Sequence, residues 1–191
     1  MQFLEEQILK YGKICPHSVL KVDSFLNHQV NVSIVTELAN AIYEHYKDSG
    51  VTKILTVESS GIPLACMTAA AFKVPFIFAK KKRTINLSEQ VFKSAVHSYT
   101  TGKYSEIMVS AEYLGREDNV LIVDDFLAKG SALRALIEIV EDSGATLVGT
   151  AVAIEKGFQG GGDMLRKEGF KVYSLSIIDK MTESKIIFRE D

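Results

Sequence analysis

The feature that most constrains this chain is an alternation. Short apolar segments at 53–58 (KILTVE), 75–79 (PFIFA), 119–124 (NVLIVD), 146–155 and 171–178 are interleaved with helix-patterned stretches at 61–73, 130–143 and 160–168. Apolar runs of about four to eight residues bounded by turn residues read as buried strands. Such strands alternating with helices stack as a mostly parallel sheet flanked by helices on both faces. The expected fold class is therefore α/β. In sheets of this kind a ligand sits outside the carboxyl ends of the strands.

With 191 residues and 47% hydrophobic content the chain has the apolar surface for one good core. No repeat, low-complexity segment or Pro/Ser-rich linker divides it, so residues 1–191 read as one domain. A helix is expected near 2–11, with Phe3, Leu4, Ile8 and Leu9 on one side, followed by an irregular or strand-like stretch at 16–30. The helix expected at 33–48 carries Ile34, Leu38, Ala41, Ile42 and Tyr46 at helical spacing, and Asp48-Ser49-Gly50 stops it. Two further candidate strands, 92–99 and 105–111, lie in a long polar interval. A formal net charge of −2 argues against a nucleic-acid partner. No run approaches about 18 uninterrupted apolar residues, so no membrane span is expected, and the N-terminus reads as neither signal peptide nor anchor. Cys15 and Cys66 lie far apart, which suits a reducing, cytoplasmic setting better than a disulfide. His17, His28, His45 and His97 have no metal-ligand spacing, so no protein-built metal site is expected.

The chemistry concentrates at NVLIVDDFLAKGSA, residues 119–132. Neighbouring side chains on a strand point to opposite faces, so Asp124 and Asp125 share a site only where the strand is ending and twisting. The loop that follows enters helix 130–143 and presents backbone N–H groups at the positive end of a helix dipole, a cradle for phosphate. Acids facing that phosphate would repel it. They are expected instead to face vicinal sugar hydroxyls or Mg²⁺, which makes a phosphorylated sugar the expected ligand. The loop is not a Walker A sequence, because GxxxxGK[ST] is absent and Lys129 precedes Gly130.

Four hydrophobics, two acids, two hydrophobics and a small Gly-containing loop resemble the signature of the type I phosphoribosyltransferases. The resemblance implies that fold, transfer of ribose 5-phosphate from 5-phosphoribosyl 1-pyrophosphate (PRPP) to a nitrogen base, Mg²⁺ bound mainly with PRPP, and a homodimer. It also implies roles. Asp124 and Asp125 hold the ribose hydroxyls, and Ala128, Lys129, Gly130, Ser131 and Ala132 bind the 5′-phosphate. Many members have threonine where this chain has Lys129 and Ala132. Hypoxanthine–guanine members carry an aspartate where it has Ala128, which points to another branch.

Glu58-Ser59-Ser60-Gly61 reads on its own as a helix start with a serine cap and Pro63 in the first turn. In the resembled fold this turn binds pyrophosphate, through Ser59 and Ser60. The run Lys80 to Arg83 is a solvated charge cluster or a source of cations for the leaving group, Lys81 first. Ser98-Tyr99 resembles the pair on the mobile loop that closes over PRPP, placing Tyr99 there. For the base, Lys156 is a candidate donor to a purine O6, with Phe126 or Phe158 stacking on the ring. Residues of about 1–32, with a C-terminal part, look like a hood over a core of about 33–180. The pattern resembles family members acting on xanthine, which implies base contacts from Leu20, Asn27 and Lys156. An asparagine amide can also turn its oxygen toward an amino group, so it does not strongly exclude guanine, and hypoxanthine–guanine transfer stays open as the alternative. A regulator that keeps the PRPP pocket without transfer is the rival from another class, but the chain has no room for an added winged helix.

Overall fold

Period-two burial along one strand explains the architecture. In this computed structural model, which describes residues 1–16, 18–82, 90–98 and 103–190, the strand Asn119–Leu127 sends Leu121 and Val123 into one hydrophobic cluster. Val120 and Ile122 enter a second cluster on the opposite face. A strand apolar on both sides needs a layer on each, and the chain supplies them.

In chain order the elements are α1 (Gln2–Tyr11), β1 (Lys13–Cys15), β2 (Val19–Lys21), α2 (Val32–Tyr46), β3 (Lys53–Val57), α3 (Ile62–Phe72), β4 (Phe76–Ala79), β5 (Val91–Ser98), β6 (Lys103–Ser110), β7 (Asn119–Leu127), α4 (Ser131–Ser143), β8 (Thr146–Lys156), α5 (Gly161–Lys167), β9 (Val172–Met181) and β10 (Ile186–Phe188). The central sheet runs β10-β9-β8-β7-β3-β4, parallel throughout except for β10, which pairs antiparallel with β9. The hood, α2 and α3 cover one face, through Leu4, Leu20, Phe25, Leu38, Ile42 and Leu64. Helix α4 and the β5–β6 hairpin cover the other, through Leu133, Leu136, Ile137, Ile107 and Val109.

The expected elements all appear within a few residues of their expected limits, and the differences have physical causes. Strand β7 does not end at the acidic doublet; it continues through Phe126 and Leu127, which pair with Ile154 and Glu155 of β8. Edge strand β10 was not expected, because a three-residue strand has too little pattern to register. Residues 16–30, expected to be irregular or strand-like, hold β2, which pairs antiparallel with β1 just ahead of them, and a π-helical turn over Asp23–Asn27. The hood reaches the C-terminal part of the chain: Ser176 Oγ donates to Glu5 of α1, and Ile14, Cys15 and Ser18 share a small cleft with Met181, Thr182 and Glu183.

Candidate active site

The carboxyl ends of β3, β4, β7 and β8 converge with the hood on the acidic doublet. Asp124 and Asp125 are only 5% and 4% exposed, so neither is a solvated loop acid. Although β7 runs on, both carboxylates reach the turn after β3. The Asp125 amide donates to Asp124 Oδ1 (2.9 Å), which curls that carboxylate back. Ser60 Oγ donates to Asp125 Oδ1 (3.0 Å), and Asn27 Nδ2 of the hood donates to Asp125 Oδ2 (2.9 Å). Each Asp125 oxygen therefore carries one donor, from a different part of the chain.

Gly61 makes this proximity possible. A Cβ there would lie 2.2 Å from Thr56 Oγ1 and 2.5 Å from Asp124 Oδ1. Thr56 is fully buried, and its hydroxyl has no hydrogen-bond partner among the described residues. Burial first, then the adjacent charge of Asp125, raises the Asp124 carboxyl well above its ordinary range; Lys81 acts in the opposite sense. The serine cap read in the sequence is not formed. Gly61 is the N-cap of α3 with no side-chain cap bond, and Ser60 serves Asp125 instead.

Residues 128–132 wrap the N-terminus of α4. Gly130 takes φ +83°, a conformation suited to glycine, and its carbonyl accepts from Arg134 N at 2.9 Å. A side chain at Gly130 would meet Leu165 and Gly161 only at ordinary contact distances of 3.4–3.6 Å, so this glycine is favoured by its backbone angle. Lys129 and Ser131 line a cleft of about 180 Å³ with Arg134, Glu138 and Met164. Helix α4 adds the positive end of its dipole to the loop's amides.

Beyond the doublet, Lys156 Nζ lies 5.6 Å from the centre of the Phe126 ring and donates to the Ser18 carbonyl of the hood at 3.2 Å. Burial lowers the pKa of this ammonium. A flat ring, a half-buried cation and the hood thus meet at one end of the doublet. Leu20, expected to contact the base, has a buried side chain that packs in the core beneath the hood. Asn27, the other hood residue expected at the base, has its amide engaged with Asp125, and an amide N–H₂ carries a second donor.

Lys81 is exposed, but its backbone N–H is fixed by Glu58 Oε1 at 2.7 Å, which holds it at the carboxyl ends of β3 and β4. Tyr99 and Arg83 lie outside the described residues. Among the described residues, no group of three or more His, Cys, Asp or Glu is placed to hold a metal ion. Mg²⁺ typically keeps several waters and binds through one or two carboxylates plus substrate phosphates. Both Asp125 oxygens and Asp124 Oδ1 already accept hydrogen bonds, so the described residues supply two carboxylates at most, and not a full protein-built ligand set.

Comparison with known proteins decides the family. The model of the phosphoribosyl transferase domain matches residues 21–180. The chain belongs to that family. Relatives named xanthine phosphoribosyltransferase match it end to end. The protein of Ruminiclostridium cellulolyticum is 48% identical, covering 100% of both chains, and that of Alkaliphilus metalliredigens is 47% identical, covering 100% of this chain and 95% of its own. Among solved structures, adenine phosphoribosyltransferase of Giardia lamblia, complexed with 9-deazaadenine, superposes with a TM-score of 0.77 at 24% identity, over 93% of this chain and 98% of its own. The Rhodothermus marinus adenine enzyme gives 0.73 at 22% identity, over 93% and 99%. These superpositions establish the type I phosphoribosyltransferase fold.

Several contributors to the site were not singled out in the sequence. Thr56 and the close packing at Gly61 lie inside a strand and a helix start that look ordinary. Glu155 passes as one polar residue at the end of β8. The run Gly160-Gly161-Gly162 was the available signal for close packing behind the 128–132 loop.

Proposed function

We propose that this chain transfers ribose 5-phosphate from PRPP to xanthine, forming xanthosine 5′-monophosphate and pyrophosphate. The observation that carries the reading is the double engagement of Asp125, by Ser60 of the turn proposed to hold pyrophosphate and by Asn27 of the hood proposed to cover the base. A ribose seated on Asp125 would have its leaving group on one side and its acceptor on the other. Curated relatives named xanthine phosphoribosyltransferase, 44–48% identical over nearly the whole chain, support xanthine as the base.

In the proposed route the bond from ribose C1 to pyrophosphate loosens first, its electron pair leaving with pyrophosphate. N9 of the base then attacks C1, and the N9 proton passes to solvent. Asp124 and Asp125 hold the ribose hydroxyls and favour the positive charge that develops on the sugar. The 128–132 loop anchors the 5′-phosphate, so that binding energy far from C1 orients the reacting carbon. Lys81 and the Ser59–Ser60 turn face the diphosphate, whose charge Mg²⁺ bound with PRPP would help to neutralise. Lys156 donates to O6 of the base, and Phe126 stacks on its ring. Tyr99 belongs, in this reading, to the loop that closes over PRPP.

The same reading places the protein in the cytoplasm as a homodimer. No helix among the described residues is long and apolar enough to cross a membrane. Edge strand β4 offers a groove lined by Phe76, Phe78, Val109 and Tyr113, which supports pairing of two copies. Incubation with xanthine, PRPP and Mg²⁺, followed by mass spectrometry, tests the activity: xanthosine 5′-monophosphate is expected, and its absence would contradict the reading.

A further inference from the structure

We infer that the buried Glu155 carboxylate, held by Arg166, positions the phosphate loop from behind, acting through the glycines at the start of α5. The inference rests on the proposed role of residues 128–132 in holding the ribose phosphate, and it assigns a positioning function to residues that contact no substrate in that proposal.

Glu155 is fully buried near the end of β8. Arg166 of α5 meets it with both guanidinium arms, Nη1 to Oε1 at 3.0 Å and Nη2 to Oε2 at 2.6 Å, and Ser174 Oγ also donates to Oε2. Arg166 Nε donates onward to the Val172 carbonyl. This fork fixes α5 at a short distance from β8, and the next residues show how short. A Cβ on Gly162 would lie 2.1 Å from the Glu155 carboxylate. A Cβ on Gly161 would lie 2.3 Å from the Ala128 carbonyl oxygen, 2.5 Å from Lys129 C and 2.7 Å from Gly130 N. Gly161 N–H also donates to the Ala128 carbonyl at 3.1 Å. The first turn of α5 is therefore a spacer, as thin as backbone allows, between a buried carboxylate and the phosphate loop. Its thickness and seat set where the loop amides stand.

A second tether supplies a contrast. Arg189 holds Asp163 of α5 and Asp179 of β9; it is 34% exposed, much as Arg166 is at 30%, but its acids are 54% and 42% exposed where Glu155 is fully buried. An exposed pair is screened and weakly held, whereas removing one partner of a buried pair leaves an uncompensated charge. The inner pair, and not the outer one, is the positioning element.

The test measures ribose 5-phosphate binding by calorimetry, together with KM for PRPP and kcat, at a temperature well below the Tm of each variant. Glu155→Gln, Arg166→Met and Gly161→Ala are each expected to weaken ribose 5-phosphate binding about tenfold or more, because small displacements of a positioning group have large effects. PRPP KM should rise in parallel. Arg166→Lys restores part of the affinity, and Arg189→Met stays within about twofold of the parent. Glu155→Gln keeps the test open if Arg166→Met does not fold, since it removes the buried charge itself. A lower Tm with unchanged ribose 5-phosphate affinity in Glu155→Gln and Gly161→Ala would overturn the inference, leaving the pair a purely structural role. A parent chain that binds no ribose 5-phosphate would overturn it as well. A parent that binds it without transferring to xanthine removes only the base assignment.

Discussion

Asn27 and Asp125, 98 positions apart in the chain, are joined by a 2.9 Å hydrogen bond from the hood amide to a buried carboxylate. The bond links the two halves of the proposed reaction, because that proposal gives Asp125 to the ribose and Asn27 to the base. Asn27→Ala removes a donor to a charged group, a loss of about 1.5–3 kcal/mol for such bonds. It should raise KM for PRPP severalfold and also lower the preference for xanthine over hypoxanthine by about ten- to a hundredfold. Hypoxanthine has no C2 oxygen to lose. Lys156→Ala should damage both bases alike, since both carry the O6 it is proposed to meet. Values of kcat/KM for both bases on both variants check this, and an unchanged ratio in Asn27→Ala would remove the asparagine from base selection.

Asp124 should set function against stability. Its carboxyl is raised well above the ordinary value of 3.8, by burial first and then by Asp125. Between the ordinary and the raised value, the folded chain keeps a proton that the unfolded chain has released, so stability falls as pH rises through that window. The favourable contribution is complete below about pH 3.8 and is lost as pH climbs through the folded-state pKa. Asp124→Asn should therefore abolish transfer while raising Tm at pH 7–8, by about 2–4 °C for each kcal/mol released in a chain of this length. Thermal melts against pH read it directly. A variant less stable than the parent at pH 8 would contradict the assigned strain.

Gly61 is expected to be intolerant of even one carbon. A methyl group would sit 2.2 Å from Thr56 Oγ1 and 2.5 Å from Asp124 Oδ1, closer than non-bonded atoms approach. Gly61→Ala should displace Asp124 and lower kcat/KM about a hundredfold, with an overpacking loss of ~1–3 kcal/mol in stability. Gly115→Ala is the control, because nothing lies within 4 Å of a Cβ there. Equal activity of the two variants would show that the doublet tolerates movement.

The sheet was legible because its strands are continuous apolar runs, and a run such as Val120–Val123 has few other uses than a doubly covered strand. The doublet was legible because two charges directly after such a run demand a reason. Its partners were not. The bond from Asn27 to Asp125 depends on a π-helical turn that no local pattern announces, and Ser60 looked like a helix cap until Gly61 took that position. Gly130 was legible as a phosphate-loop glycine, but the direction of its missing side chain, toward Gly161 and Leu165, is a property of packing between distant segments. Leu20 was readable as hood, yet its burial follows from α1 and α2 closing over it. Local chemistry is written in local sequence, and the second partner of each group is written in the topology.

The most direct test of the account is kcat/KM for pyrophosphate release from PRPP and Mg²⁺, measured in parallel with xanthine, guanine, hypoxanthine and adenine. The account predicts the highest value with xanthine, reduced turnover with guanine and hypoxanthine, and the least with adenine, which lacks the O6 proposed to meet Lys156. A preference for adenine, or no pyrophosphate with any of the four bases, would contradict it.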